Sequence, residues 1–388
     1  MKALMFHKPK DVRVETVDDP QIQNPRDAII RVTSTAICGS DLHIYNGMIP
    51  QPRSMVLGHE FMGIVEEVGS GIKNLQRGDR IVVPFPIACG DCHFCKMDLP
   101  THCENSNELY GPEGEVLKAQ GIGAALYGYT DLYGGYHGGQ AEYVRISYAD
   151  YSPRKVPDNL TDEQALFLTD IFPTGWAAID WADLKGGETV AVFGCGPVGI
   201  MAMKSAWLRG AGRVIGIDIY NYRLEKAKAT ANVEVINAST VDPAEVIREM
   251  TGGYGADVCV DAVGMEADRT TVDKALNVVR MQKGSMKALD KCFDAVRRGG
   301  VVTVVGVYGS MYNNFPLYKW FDKGIKLMGG QAWVQRYIDE LLGLVRDGKV
   351  VLDDIITHSV PLSEAPKMYD IFNKKQDNCV KVVLKPFA

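Results

Sequence analysis

The sequence predicts an α/β chain with a β-rich first part and a doubly wound parallel sheet. Three observations predict it: a strand, glycine turn and helix between Glu188 and Asp218; short β-branched segments through the first hundred or so residues; and helices alternating with apolar strands from about Thr161.

The segment from Glu188 to Asp218 organises the rest. Thr189 to Phe193 is a mostly β-branched run of the kind buried on both faces of a parallel sheet. Gly194, Gly196 and Gly199 follow with G-x-G-x-x-G spacing, which allows a tight turn, close approach of backbone to a pyrophosphate, and close packing of helix on strand. Pro197 suits the first helical turn, where its missing N–H costs nothing. Apolar residues recur at helical spacing from Val198 to Leu208, so the helix N-terminus faces the phosphates. A second strand, Val214 to Ile217, ends on Asp218, placed to accept hydrogen bonds from the adenosine ribose. Its charge repels a 2′-phosphate and favours NAD over NADP; Arg223 nearby is the residue type that accommodates that phosphate.

The first-part strands are read at Lys2 to Phe6, Val12 to Thr16, Ala28 to Thr35, Gly63 to Val68 and Arg80 to Val83, with no long helix among them. A cysteine-rich lobe covers Asp91 to Ser106. A Gly- and Tyr-rich stretch, 109–139, reads as a structured loop that covers a site. Strand character returns at Gln140 to Ile146 and Tyr151 to Val156. A helix over Asp162 to Thr169 opens the alternating part, whose later strands are Val233 to Ile236, Val258 to Val263 and Val301 to Val307. The segment 265–298 is longer than one crossover needs. After Met328 come one amphipathic helix, Val334 to Asp347, and a closing strand, Lys381 to Lys385, which lack the alternation and are expected to rejoin the first domain. The domains expected are therefore 1–160 with 332–388, and 161–331.

Composition excludes some partners. With 388 residues the chain can build two cores, and a formal charge of -6 gives no footprint for nucleic acid or a membrane surface. No apolar run reaches spanning length, and the start MKALMFHKPKDVRVE lacks a signal-peptide core, so a cytoplasmic protein is expected. The nine cysteines, four of them within fifteen residues, point to metal ligation in a reducing compartment.

Those four, Cys89, Cys92, Cys95 and Cys103, are spaced C-x2-C-x2-C-x7-C. Four soft ligands on one small loop suit a closed structural zinc site. An iron–sulfur cluster is the rival, but its bacterial run has a shorter final gap and a proline after the last cysteine, where this chain has Glu104. A second group, Cys38 in ICGSDLH and His59 with Glu60 in LGHE, lies at strand-to-loop junctions. Singly, a Cys is more often core and a His more often a satisfied surface group; together, upstream of a dinucleotide turn, they suggest a site.

In this order, CGSDLH, GHEFMGIVEEVGSGIKNLQRGDRIVV, the four-cysteine lobe and GCGPVG resemble the zinc-dependent medium-chain alcohol dehydrogenase family. TDIFPTG and GGQAEYV are more similar to its formaldehyde dehydrogenase-like branch. The resemblance implies a GroES-like β catalytic domain interrupted by a Rossmann domain, with the active site in the cleft between them. It implies two Zn2+ ions per chain, one catalytic on Cys38, His59 and Asp170 and one structural on the lobe, with NAD as cofactor. Ser40 and His43 match the family's proton relay, Thr174 and Val198 its nicotinamide contacts, Asp41 a partner of the ligand histidine, and Glu60 a carboxylate close to the metal. Gly39 replaces a basic residue found beside the cysteine in some members, so the pyrophosphate contact is expected elsewhere, with Lys381 one candidate. The segment 265–298 does not resemble the insertion that traps NAD in dismutating formaldehyde dehydrogenases. Phe85 and Met48 line the pocket on one reading and pack the core on another.

The expected reaction is hydride transfer between a small alcohol or aldehyde hydrate and NAD. A polyol or amino-alcohol dehydrogenase is the alternative; a non-enzymatic dinucleotide sensor has no need of Ser40 and His43. A homo-oligomer, dimer or tetramer, is expected. Asp170 keeps two readings, a third zinc ligand or a cap on the turn that begins at Ile171.

Overall fold

The computed structural model describes residues 1–107, 123–266, 285–309, 312 and 315–388. Part of the Gly- and Tyr-rich loop and most of the segment 265–298 thus lie outside the described residues.

The strands run, in chain order, β1 (Lys2–Lys8), β2 (Asp11–Thr16), β3 (Ala28–Ile37), β4 (Met55–Val56), β5 (Glu60–Val68), β6 (Arg80–Val83), β7 (Tyr143–Ile146), β8 (Arg154–Lys155), β9 (Thr189–Phe193), β10 (Arg213–Asp218), β11 (Glu234–Asn237), β12 (Ala256–Asp261), β13 (Val296–Val304), β14 (Lys326–Gly329), β15 (His358–Pro361) and β16 (Val382–Lys385). The chain divides into two compact units, Met1–Pro173 with Trp333–Ala388, and Thr174–Ala332.

The first unit holds a three-stranded sheet, β2-β1-β4, and a seven-stranded sheet in which β15-β16-β3-β5-β6-β8 run side by side and β7 also pairs with β3. Ala28, Ile30 and Val32 of β3 meet Phe61 and Val65 of β5, Ile81 and Val83 of β6, and Tyr127 in a solvent-free core. Each of the valine, isoleucine and phenylalanine side chains contributes about 1.5–3 kcal/mol by leaving water. The tail joins this unit as expected, through β16 against β3. It carries two helices where one was expected: besides Val334–Arg346 there is Ala365–Lys374, begun by Pro366 in its first turn.

The second unit is one six-stranded sheet in the order β11-β10-β9-β12-β13-β14. All its ladders are parallel. The order reverses between β9 and β12, and a doubly wound sheet binds ligands outside the carboxyl ends at such a switch. Ala191, Phe193, Ile215, Ile217, Cys259 and Val302 form its core under Ile247, Leu289 and Phe293 from flanking helices.

The boundary expected at residue 161 moves to 174. The helix Asp162–Leu166 packs on β3 and β5, and Ser34 of β3 donates to Asp162 (3.2 Å), so this segment belongs to the first unit. That helix also ends sooner than the expected Thr169. The Thr169 hydroxyl donates to Leu166 O (2.7 Å) and Phe85 N donates to Thr169 O (3.0 Å), which stops the helix and leaves Asp170 at the break before the next, Ile171–Asp180. No helix among the described residues is long and apolar enough to cross a membrane.

Candidate active site

The antiparallel register of β3 and β5 pairs Ala36 with Glu60, so Cys38, just past the end of β3, and His59, just before β5, flank the same end of the ladder. Asp170, at the helix break tied to Phe85, reaches the same place. Its Oδ2 lies 3.5 Å from Cys38 Sγ and 3.3 Å from His59 Nε2. Donor atoms of Cys38, His59, Glu60 and Asp170 all fall within 4.8 Å of one another, and all four residues are buried. Ligands of a tetrahedral zinc at ~2.0–2.3 Å stand about 3.3–3.8 Å apart, which is the spacing Asp170 keeps from the sulfur and the nitrogen.

The charges fit a cation. Burial, then the charges of Asp170 and Glu60, push the Cys38 thiol up to about 11. Burial works to lower the His59 pKa, but Asp41, Cys38 and Asp170 overcome it and hold it well above the usual imidazole range. Burial raises Glu60 against the pull of Lys381, and Glu60 Oε2 has no hydrogen-bond partner among the described residues. A sulfur, an imidazole nitrogen and two carboxylates without solvent form a donor set that a divalent ion compensates, and mixed S, N and O donors suit zinc.

Around these donors the chain supplies orientation. Asp41 Oδ1 stands 3.2 Å from His59 Nδ1, while Asp41 Oδ2 accepts from Cys38 N (3.0 Å). Gln140 Nε2 donates to Asp41 Oδ2 (3.3 Å) and to Ala36 O (3.0 Å), and the Tyr369 hydroxyl donates to Gln140 Oε1 (2.8 Å). Holding the far nitrogen of a ligand histidine in this way fixes tautomer and ring direction. Gln140 and Tyr369 escaped the sequence reading; Gln140 lies in GGQAEYV, but nothing in the sequence pairs it with a residue of the tail. Ser40 Oγ is 3.3 Å from His59 Nε2. His43, buried on the short helix Asp41–Tyr45, lies one turn on, its N–H donating to Ser40 O (3.1 Å).

Lys381 is not where a pyrophosphate contact must be. It is fully buried, with Nζ donating to Glu60 Oε1 (2.6 Å) and Ile37 O (3.2 Å), so its charge is spent inside the first unit. The residue that precedes β16 cannot reach a phosphate without abandoning Glu60. Phe85 packs edge-on to His59 at 6.1 Å, which places it beside the donors, whereas Met48 adjoins the end of the short helix, where its N–H donates to His43 O (2.8 Å).

The lobe gathers Cys89, Cys92, Cys95 and Cys103 within 4.8 Å. Cys89 and Cys95 sulfurs are 4.0 Å apart and those of Cys92 and Cys103 3.9 Å, near the ~3.8 Å edge of a tetrahedral S4 zinc site. Asp91 N, Cys92 N and Asn105 Nδ2 each donate to Cys89 Sγ at 3.4 Å. Such N–H donors stabilise thiolate. Arg26 ties the lobe to the sheet through Cys89 O (2.7 Å) and Asp91 (2.7 Å).

In the second unit, Gly194 has φ +100, and a Cβ on Gly199 would lie 1.8 Å from Gly194 O, so both positions require glycine. Gly196 precedes the helix Pro197–Leu208, whose first two residues are Pro197 and Val198. Asp218 ends β10; its Oδ2 accepts from Cys195 N (2.8 Å) and its Oδ1 from Ile219 N (2.7 Å) and Tyr220 N (3.0 Å). Arg223 Nη1 is 3.9 Å from Asp218, and the guanidinium lies against the Tyr220 and Tyr222 rings at 5.5 and 5.8 Å. Thr174 precedes Gly175, where a Cβ would meet Ala202 N at 2.5 Å: the helices Ile171–Asp180 and Pro197–Leu208 touch there.

A doubly wound sheet with this glycine turn, in one chain with two clusters of side chains that could each hold a metal ion, has the parts of a metal-dependent dehydrogenase. Comparison with known proteins narrows the class. Residues 24–158 match the family model of the alcohol dehydrogenase GroES-like domain, and residues 197–286 that of the zinc-binding dehydrogenases. The chain is 45% identical, over the full length of both, to a Bacillus subtilis protein named an uncharacterized zinc-type alcohol dehydrogenase-like protein, AdhB. It is 35% identical to formaldehyde dismutase from Pseudomonas putida, covering 96% of this chain and 95% of that one. Alcohol dehydrogenase TADH from Thermus sp. ATN1 superposes with a TM-score of 0.84 at 36% identity, with 99% of each chain covered. The chain belongs to the zinc-dependent medium-chain alcohol dehydrogenase family, with a GroES-like unit and a Rossmann-like unit. It is an oxidoreductase of that family, and zinc and a nicotinamide cofactor come with membership.

Proposed function

We propose that this protein oxidises a small alcohol or an aldehyde hydrate with NAD and carries two zinc ions, one on Cys38, His59 and Asp170 and one on Cys89, Cys92, Cys95 and Cys103. The observation that carries the reading is the placement of Asp170 Oδ2 at 3.5 and 3.3 Å from the Cys38 sulfur and His59 Nε2. When bound, zinc supplies Lewis acidity to the substrate oxygen and NAD takes the hydride.

The chain's own residues do the rest. Ser40 Oγ, beside His59 Nε2, accepts the substrate's hydroxyl proton, and His43, one helical turn away, takes it onward. Asp41, held by Gln140, keeps Nε2 aimed at the donor cluster. Lys381 offsets Glu60, which limits the negative charge of the site.

Asp218 supports NAD over NADP. Three backbone N–H groups fix its carboxylate at the end of β10, from where it would accept from the ribose hydroxyls, and Arg223 is already engaged by the two tyrosine rings. Gly194, Gly196, Pro197, Val198 and Gly199 receive the pyrophosphate, and Thr174 and Val198 contact the nicotinamide. A homo-oligomer, dimer or tetramer, is supported by exposed Leu317, Tyr318 and Phe321 on the helix Leu317–Lys323 that precedes the edge strand β14, apolar groups of the kind that associate. Nine cysteines without a disulfide agree with a cytoplasmic setting. A polyol or amino-alcohol dehydrogenase is the second reading. The test is NADH formation with short alcohols, diols, longer polyols, threonine and formaldehyde, with and without glutathione; turnover confined to threonine or to the longer polyols would favour the second reading.

A further inference from the structure

Tyr129 stands beside the candidate catalytic donors with its hydroxyl buried and without a hydrogen-bond partner among the described residues. Its ring meets the His59 imidazole edge-on at 6.1 Å, and its phenol lies within electrostatic range of His59, Cys38 and Asp41.

The position is rigid. Gly128 is pressed on the backbone that leads into His59: a Cβ there would lie 2.5 Å from Gly58 O. On one side Tyr127 is anchored by Ser147 N donating to its hydroxyl (2.9 Å); on the other Thr130 donates to Pro50 O (3.0 Å). A fixed, dry, unpaired hydroxyl costs stability unless a ligand pairs it.

Which ligand atom it serves follows from what else lies around His59. Ser40 Oγ already stands at Nε2, where the reacting oxygen is handled, and Phe85 covers another edge of the ring. A monohydric alcohol spends its one oxygen at Ser40 and leaves Tyr129 facing carbon. We propose that Tyr129 is a specificity-determining residue whose hydroxyl pairs with a second substrate hydroxyl, on the reacting carbon or the adjacent one. The substrate class is thus a compound with two neighbouring hydroxyls, an aldehyde hydrate or a vicinal diol. The inference rests on the alcohol dehydrogenase reading above.

The experiment compares the full-length zinc-loaded protein with Tyr129→Phe on ethanol, 1-propanol, ethane-1,2-diol, propane-1,2-diol and aqueous formaldehyde, with zinc content and Tm measured beside kcat/KM. The ratio of kcat/KM for two-oxygen over one-oxygen substrates is expected to fall roughly 10- to 100-fold in the variant, because a site built to pair a hydroxyl discriminates by that bond. Zinc content stays the same, and Tm holds or rises, since the lost hydroxyl has no partner among the described residues. A fall confined to formaldehyde assigns the hydrate; one confined to the diols assigns the vicinal pair. An unchanged ratio, or a lowered Tm with equal losses on every substrate, overturns the inference and leaves the alcohol dehydrogenase reading standing. A parent protein that turns over none of these compounds overturns both.

Discussion

Lys381 and Glu60 meet at 2.6 Å with neither side chain exposed to solvent. The lysine reaches Glu60 from the position just before β16, the strand beside β3, while Glu60 sits next to His59 in the donor cluster, so the tail sets the charge balance of the site. Removing one member of a buried pair strands the other's charge in low dielectric. Lys381→Met is therefore expected to cost about 3–5 kcal/mol, and the double variant Lys381→Met with Glu60→Gln to regain a large part of it. Urea unfolding of the parent and the two variants checks this; a double variant no more stable than Lys381→Met would show that the pair is not what the single change breaks.

Asp170→Ala should release one of two zinc ions per chain and nearly all activity, while NAD still binds. Asp170→Cys, which restores an anionic donor, is expected to retain the metal. Metal analysis beside an NAD titration decides it, and an alanine variant holding both ions at full occupancy would return Asp170 to the role of a turn cap.

Cys92→Ser is expected to act on the lobe alone. The remaining three sulfurs hold zinc less tightly, and Tm falls before the activity of the surviving folded fraction does. If the variant proves stable, fully loaded and inactive, the lobe is not structural.

The NAD preference can be read as a ratio. The parent should show kcat/KM at least about tenfold higher with NAD than with NADP, and Asp218→Asn should narrow that gap by removing the charge while keeping one acceptor for the backbone N–H groups. Equal values for the two cofactors in the parent would sink the assignment.

Elements written in local pattern were legible in advance. The glycine turn, β9 and the helix after it follow from residues that touch their sequence neighbours, and the four cysteines announce their cluster by spacing. The donor set at Cys38, His59 and Asp170 was legible through resemblance, since Asp170 looks like an ordinary turn residue until its Oδ2 is found beside a sulfur 132 positions earlier in the chain. Lys381 was misplaced because a lone lysine before a strand carries no sign of burial; its partner lies 321 positions away. Gln140 and Tyr369 are hidden for the same reason, being 229 apart. The helix Ala365–Lys374 was not read in advance: Pro366, a residue that breaks a helix interior, sits in its first turn, where it is tolerated.

The first unit is woven from both ends of the chain, while Thr174–Ala332 is continuous. On a ribosome this separates the two in time. The continuous unit leaves the exit tunnel whole and can fold at once, but Glu60 waits for Lys381 through 321 residues of synthesis, roughly 15 to 65 s at about 5–20 residues per second. Until then β3 lacks β16, and its free edge and the uncompensated carboxylate must stay in water or be shielded by a chaperone. The nascent protein therefore passes through a stage in which its parallel-sheet unit is finished while the unit that gathers both cysteine-containing clusters is open.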